Sequence, residues 1–88
     1  MKANSQNLAA VVGARLRERR RTLGILQEDL AALAGIAVHT LSNLESGKGN
    51  PSLDVLERLL DCLGLQLTIE PRAPESGTPT APANPQRP

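Results

Sequence analysis

The chain has 88 residues, enough for one small domain, and it lacks phenylalanine, tyrosine and tryptophan, so its core must be aliphatic. A single cysteine, a single histidine and no apolar run near the ~20 residues of a bilayer span exclude a disulfide framework, a metal cluster and a membrane protein. Residues 1–25 carry six basic side chains against one acidic, whereas residues 26–70 carry two against seven. We therefore expect a cytoplasmic protein, with no cofactor and no catalytic activity, that presents a basic surface to a polyanion and an acidic surface to a different partner.

The first predicted helix covers about residues 6–23 and ends before Gly24. Its apolar side chains recur at helical spacing, at Leu8, Val12, Leu16 and Leu23. The arginines of this helix either contact the polyanionic partner or are only exposed to solvent. Arg20 lies on the apolar stripe, where a buried guanidinium needs an acidic partner. We expect that partner to be Glu45, on the inner side of the third helix, unless both residues are solvated.

Two short helices follow, predicted over residues 27–34 and 38–46, and only three residues separate them. This spacing is typical of a helix-turn-helix. The predicted buried positions are Leu30, Ala31, Leu33 and Ala34 in the first of these helices, and Leu41 and Leu44 in the second. The outward positions of the second are His39, Ser42, Asn43 and Ser46. Short uncharged side chains of this kind let a helix approach base edges closely, although a merely exposed polar face is the alternative.

A fourth helix is predicted to begin after its cap Ser52 and to end at Gly64, with Leu53, Leu56, Leu60 and Leu63 as its apolar stripe. After Gly64 the period changes to two, because Leu65, Leu67 and Ile69 alternate with polar residues until Pro71. We predict a short strand over residues 65–70. A lone strand leaves its backbone unpaired, so we expect it to pair with the same strand of a second subunit; a frayed end is the alternative.

Residues 71–88 contain six prolines and no leucine, isoleucine or valine. Such a segment cannot bury enough apolar surface to offset its ordering entropy. We therefore predict one folded domain over residues 1–70, with its dimerisation strand at residues 65–70, and a disordered tail over residues 71–88.

Several motifs occur in register along residues 8–64: GARLRERR from Gly13, GILQEDLA from Gly24, TLSNLESGK from Thr40 and NPSL from Asn50. In this combination the chain resembles the Xre (Cro/C1-type) helix-turn-helix family. The resemblance implies an all-α, lambda-repressor-like domain of four to five helices that forms a homodimer and binds double-stranded DNA. The strand and tail resemble, more narrowly, the HipB-type antitoxins, which implies a HipA-like kinase toxin as a partner.

Carried over position by position, the resemblance assigns base reading to Val38, His39, Ser42 and Asn43. It assigns contacts with DNA phosphates to Gln27, Thr40, Ser46 and Lys48, and dimerisation to Leu65, Leu67 and Ile69. Leu26 and Ala37 stand where the family usually has a capping serine or threonine, and each lost cap costs about 1 kcal/mol. The apolar Val38 suggests contact with a thymine methyl group.

The leading hypothesis is thus a homodimeric, nucleoid-associated repressor on a palindromic operator, in the specific form of an antitoxin that autoregulates its operon. The alternatives are a stand-alone Xre-family regulator and a protein-interaction module with secondary DNA binding. An enzyme has no support, because the sequence offers neither a nucleophile–base pair nor a metal cluster.

Overall fold

The computed structural model describes residues 4–72, with side chains from Leu8 onward. Four α-helices follow in order: α1 (Asn4–Thr22), α2 (Gln27–Ala34), α3 (Val38–Glu45) and α4 (Leu53–Leu63). Helices α1 and α2 both pack against α3 and α4. The all-helical prediction is confirmed; α2 has the predicted bounds and α3 ends one residue earlier than predicted.

Among the described residues, the buried members of the core are leucines and alanines, and every helix contributes to them. They are Leu16, Leu30, Ala31, Ala34, Leu41, Leu44, Leu56, Leu59 and Leu63. Each fully buried leucine contributes about 1.5–3 kcal/mol relative to leaving it exposed. The aliphatic core predicted from the composition is therefore confirmed.

The predicted apolar stripes include residues that the structure leaves exposed instead of packing them in the core. Leu8, Leu23, Leu33 and Leu53 are exposed, at 65%, 44%, 68% and 79%. In α4 the buried set is Leu56, Leu59 and Leu63, whereas Leu60 lies half-buried on its flank. Both sets obey helical spacing, so periodicity alone does not determine which side of this leucine-rich helix faces the core.

Three of the predicted helix signals are present. The Ser52 hydroxyl oxygen accepts a hydrogen bond from the Val55 N–H at 3.1 Å, which caps α4. Gly35 and Gly64 adopt left-handed backbone conformations at the ends of α2 and α4. Leu26 and Ala37 precede α2 and α3 with extended backbones, and their side chains supply no cap, as predicted.

Residues 65–70 form neither helix nor strand in the single chain. Leu65 is anchored because its N–H donates to the Leu60 carbonyl at 2.9 Å, whereas Leu67 and Ile69 are 54% and 91% exposed. The predicted strand is thus not seen, since a strand requires a partner and residues 4–72 of one chain offer none. Of the predicted tail, residues 73–88 lie outside the described residues.

Gly13 sets the distance between α1 and α3. It is buried, and a Cβ at this position would overlap the carbonyl oxygen of Leu44 and lie 3.2 Å from the backbone nitrogen of Gly47. These neighbours are backbone atoms, which cannot rotate away as a side chain can. The two helices therefore pack this closely only because position 13 has no side chain.

We expect Gly13→Ala to destabilise the fold by about 1–3 kcal/mol, the usual cost of overpacking. Helix propensity alone gives the opposite sign, because alanine is favoured over glycine inside a helix by about 0.5–1 kcal/mol. Urea unfolding followed by circular dichroism measures the difference, with the exposed neighbour Ala14→Gly as a control for propensity. A more stable Gly13→Ala protein would contradict the close contact.

Candidate nucleic-acid interface

Helix α3 divides into a buried side and an outer side. Leu41, Leu44 and Glu45 are buried against the other helices. The predicted base-reading residues lie elsewhere on the helix: Val38 and His39 are exposed, and Ser42 and Asn43 are half-buried. The structure thus places all four on the accessible surface of one short helix, as a reading surface requires.

Two of these residues interact directly. The Asn43 side-chain nitrogen Nδ2 lies 3.3 Å from Nε2 of His39, one turn earlier. An amide nitrogen is a donor only, so in this arrangement Asn43 donates to Nε2 of His39. Asn43 then presents its carbonyl oxygen and its second N–H to a ligand, which is the pair of groups that adenine binds.

The four residues predicted to contact DNA phosphates lie in different parts of the surface. Gln27 and Ser46 line one polar pocket, whereas Lys48 lines an apolar groove between α1 and the turn that follows α3. Thr40 is exposed on α3. The Ser46 hydroxyl donates to the Ser42 carbonyl at 2.9 Å, so its proton is used within the helix. The Lys48 N–H donates to the Asn43 carbonyl at 2.9 Å, which fixes the start of the turn.

A buried ion pair joins α1 to α3 beneath this surface, as predicted. Arg20 Nε lies 2.7 Å from Glu45 Oε2, and Arg20 Nη2 lies 2.9 Å from Glu45 Oε1, so the contact is bidentate. The two side chains are 11% and 3% exposed. The third guanidinium nitrogen, Nη1, donates to the Ile25 carbonyl at 2.8 Å, ahead of α2. Arg20 therefore holds α1, the loop before α2 and α3 together.

Gln27, at the first turn of α2, completes this cluster. Its Nε2 donates to Glu45 Oε1 at 3.0 Å. Burial raises the pKa of Glu45, but the hydrogen bonds from Arg20 and Gln27, together with the positive charges of Arg20 and Arg17, lower it by more, so the pKa lies below its ordinary value. The hydrogen bond to Glu45 raises the pKa of Arg20 above its already high ordinary value. Both groups are therefore charged at neutral pH.

Two arginines of α1, for which the sequence leaves contact with a polyanion and simple solvation both open, belong to the same region. Arg17 and Arg21 line the polar pocket with Gln27, Ser42 and Ser46. Their spacing of four residues, on either side of Arg20 along the helix, was the available signal, because it predicts a shared face. Arg15 and Arg19 do not line the pocket, and Arg19 instead donates to the Leu63 carbonyl at the end of α4, at 2.9 Å.

Other kinds of site find little support in the described residues. Within this part of the chain, His, Cys, Asp and Glu side chains form no group of three that could hold a metal ion. No helix among the described residues is both long enough and apolar enough to cross a bilayer.

Replacing Arg20 or Glu45 by alanine should each cost about 3–5 kcal/mol, because the remaining partner is left buried and unpaired. The double replacement should cost clearly less than the sum of the two, and denaturant unfolding of the four proteins gives this coupling. The exposed pair Arg58–Asp54, with 3.4 Å between its charged atoms, is the matched control. Its coupling should be only about 0.3–0.5 kcal/mol. Additive losses at Arg20 and Glu45 would contradict the contact.

The chain is similar to known helix-turn-helix proteins. A family model described as helix-turn-helix matches residues 16–69. The HTH-type transcriptional regulator DdrOP3 of Deinococcus deserti is 45% identical over 51 residues, which are 58% of this chain and 40% of that protein. The HTH-type transcriptional regulator y4dJ of Sinorhizobium fredii is 33% identical over 73 residues, which are 83% of this chain and 94% of that protein.

A solved structure is similar as well. The restriction-modification controller protein C.AhdI of Aeromonas hydrophila aligns with a TM-score of 0.63 and 34% identity, over 66% of this chain and 88% of that chain. This chain spans less than half of the length of DdrOP3, so the likeness to that regulator concerns its helix-turn-helix part. The match over residues 16–69 and the shared fold show that the chain belongs to the helix-turn-helix family of Xre (Cro/C1) type.

Proposed function

We propose that the protein is a transcriptional regulator that binds a palindromic DNA operator as a homodimer and represses transcription. The observation that carries the proposal is the two-sided α3, which is anchored by Leu41, Leu44 and Glu45 and carries short hydrogen-bonding side chains on its accessible surface. Such a helix fits the major groove, where base edges are distinguishable. The relatives, which are named as transcriptional regulators, support the same function.

In this proposal Val38, His39, Ser42 and Asn43 read bases. Gln27, Thr40, Ser46 and Lys48 contact phosphates. The two reading helices of a dimer enter successive major grooves, so the half-sites are centred about 10 bp apart. Phosphate contacts fix the register of the protein on the duplex, and base contacts select the sequence.

The stand-alone regulator is the form of the proposal that the comparisons favour, because the relatives reported above are regulators and a controller protein. The antitoxin form, with a HipA-like kinase toxin as a partner, rested on the segment after α4. That segment does not form its strand in the single chain. The antitoxin form therefore stays a prediction, and a kinase-like reading frame next to this gene would favour it.

The proposed dimer uses residues 65–70, with Leu65, Leu67 and Ile69 as its apolar side chains. Leu67 and Ile69 are largely exposed in the single chain. Leu65 and Leu67 line a groove of about 360 Å³ that runs along α4. Covering exposed leucine and isoleucine is favourable by about 25 cal/mol per Å² of apolar surface. This surface supports a folded unit over residues 1–70 whose C-terminal segment pairs between subunits, with residues 71–88 as a tail.

Asn43→Ala and Lys48→Ala should have different effects on DNA binding. Removing Asn43 should weaken binding to an operator selected from random sequences by about 1–3 kcal/mol and relax the preference at one symmetric pair of positions. Removing Lys48 should weaken operator and unrelated DNA alike and make the salt dependence shallower by about one ion per subunit. Fluorescence anisotropy with both duplexes at several salt concentrations separates the two. Equal weakening of both duplexes by Asn43→Ala would show that α3 is not the reader.

Leu67→Asp should convert the dimer to a monomer, because it places a charge within the apolar surface that pairs the subunits. Sedimentation velocity measures the change, with Gln66→Asp, at a neighbouring exposed polar position, as the control for added charge. Helix content should stay the same in both variants, since Leu67 lies outside the core. A parent protein that is monomeric at tens of micromolar, or a Leu67→Asp protein that still dimerises, would rule out this interface.

A further inference from the structure

A polar pocket of about 200 Å³ lies where α1, α2 and α3 meet, beside the proposed reading surface. Its lining includes the Arg20–Glu45 ion pair, which ties α1 to α3. Around that pair lie Arg17 and Arg21 of α1, Gln27 of α2, Ser42 of α3, and Ser46 directly after α3. No leucine, isoleucine or valine lines it, so its natural occupant is a polar group.

The charge of the pocket favours an anion. Three guanidinium groups, of Arg17, Arg20 and Arg21, surround one carboxylate, that of Glu45. The bidentate contact with Arg20 compensates this carboxylate. Among the described residues, ion pairs within 4.0 Å are confined to Arg20–Glu45 and Arg58–Asp54. Arg17 and Arg21 thus leave the pocket with two positive charges that no carboxylate contacts.

The remaining polar groups fit the same ligand. Gln27 uses one N–H of its amide on Glu45, and the same nitrogen carries a second N–H that is free to donate. The Ser46 hydroxyl already donates to the Ser42 carbonyl at the end of α3. The arginines are the charged donors that the pocket offers to an anion. The guanidinium fork matches the oxygen atoms of a phosphate group.

We propose that Arg17 and Arg21 bind one phosphodiester group of the DNA backbone in this pocket. The proposal rests on the proposed function, since it needs the DNA that α3 reads. Ser42 lines the pocket and its neighbour Asn43 belongs to the proposed reading surface, so a phosphate at the edge of the groove that holds α3 lies against the arginines. The phosphate contacts of the regulator then include α1 as well as the helix-turn-helix.

The test compares two double variants that each remove two positive charges. Arg17→Ala/Arg21→Ala empties the pocket of its free charges. Arg15→Ala/Arg58→Ala removes two exposed arginines that do not line it. Affinities of the full-length protein for a selected operator and for an unrelated duplex are measured from ~50 to ~200 mM salt.

The pocket variant should make the plot of log affinity against log salt concentration shallower by about one ion per subunit. Between ~50 and ~200 mM salt, its affinity should therefore fall less than that of the parent protein, by a factor of about three for each subunit. It should weaken both duplexes by similar factors, because a phosphate contact carries no sequence information. The control variant should keep the slope of the parent protein. Arg17→Lys should also keep it, because a lysine supplies the same charge, and unchanged melting temperatures would confirm that folding is not the cause.

Two results would overturn the inference while leaving the proposed function intact. One is a parent protein that binds DNA with a slope that Arg17→Ala/Arg21→Ala does not change. The other is a control variant that lowers the slope as much as the pocket variant, which would mean that only total charge matters. A parent protein that binds no duplex at all would instead overturn the proposed function.

A free anion is the competing source of the same chemistry. Inorganic phosphate titrated into the DNA-free protein at constant ionic strength, followed by the amide resonances of α1 and α2, tests it. We expect no saturable binding in the low millimolar range. Saturable binding that Arg17→Ala/Arg21→Ala abolishes, together with a DNA slope that this variant leaves unchanged, would assign the pocket to a free anion and overturn the assignment to DNA.

Discussion

The contact between Arg20 and Glu45 is the one on which the placement of α3 most depends. A single guanidinium donates through two nitrogens to a carboxylate of α3 and through the third to a backbone carbonyl of the loop before α2. Such a buried pair contributes little net stability relative to apolar residues of similar volume, but breaking it is costly. Its effect is therefore to specify geometry. Other ways of packing α3 against α1 leave a charge without its partner.

Close packing independently fixes the same placement of α3 against α1. At Gly13 the backbone of α1 lies against the carbonyl of Leu44 on α3, with no room for a side chain. Leu41 and Leu44 then fill the space behind α3 with aliphatic atoms. One contact is steric, one is ionic and one is apolar, and together they hold an eight-residue helix that could not be stable in isolation.

The helices and the ion pair could be predicted well from the sequence. The helices depend on local signals, and the ion pair depends on the high cost of burying a charge without a partner. Glycines at 24, 35 and 64 end helices, and Ser52 caps one, through contacts within a few residues. Arg20 required an acid because an unpaired buried guanidinium is too costly. The extent of burial was harder to predict, since Leu33 and Leu53 obey helical spacing yet are exposed, with no element of residues 4–72 covering them.

The surface contacts needed three-dimensional information. Gln27 and Glu45 are eighteen residues apart, and no periodic pattern predicts that their side chains meet. The same is true of the pocket, because Arg17 and Arg21 join Ser42 and Ser46 only once α1 has crossed α3. The segment after Gly64 differs again: its alternation is typical of a strand, but the described residues of one chain form no strand with which it could pair.

The division of α3 into two sides has a consequence for how this protein can diverge. The residues that hold the helix and those that face outward alternate along eight positions, so each group can change without the other. Substitutions at His39 or Asn43 alter which groups meet a ligand, while Leu41, Leu44 and Glu45 keep the helix in place. Under the proposed function, one or two outward substitutions change the DNA sequence that the product of a duplicated gene binds, while the contacts that hold α3 stay in place. Gly13 and Glu45 tolerate little change, because replacing either residue disturbs a contact that fixes the position of α3.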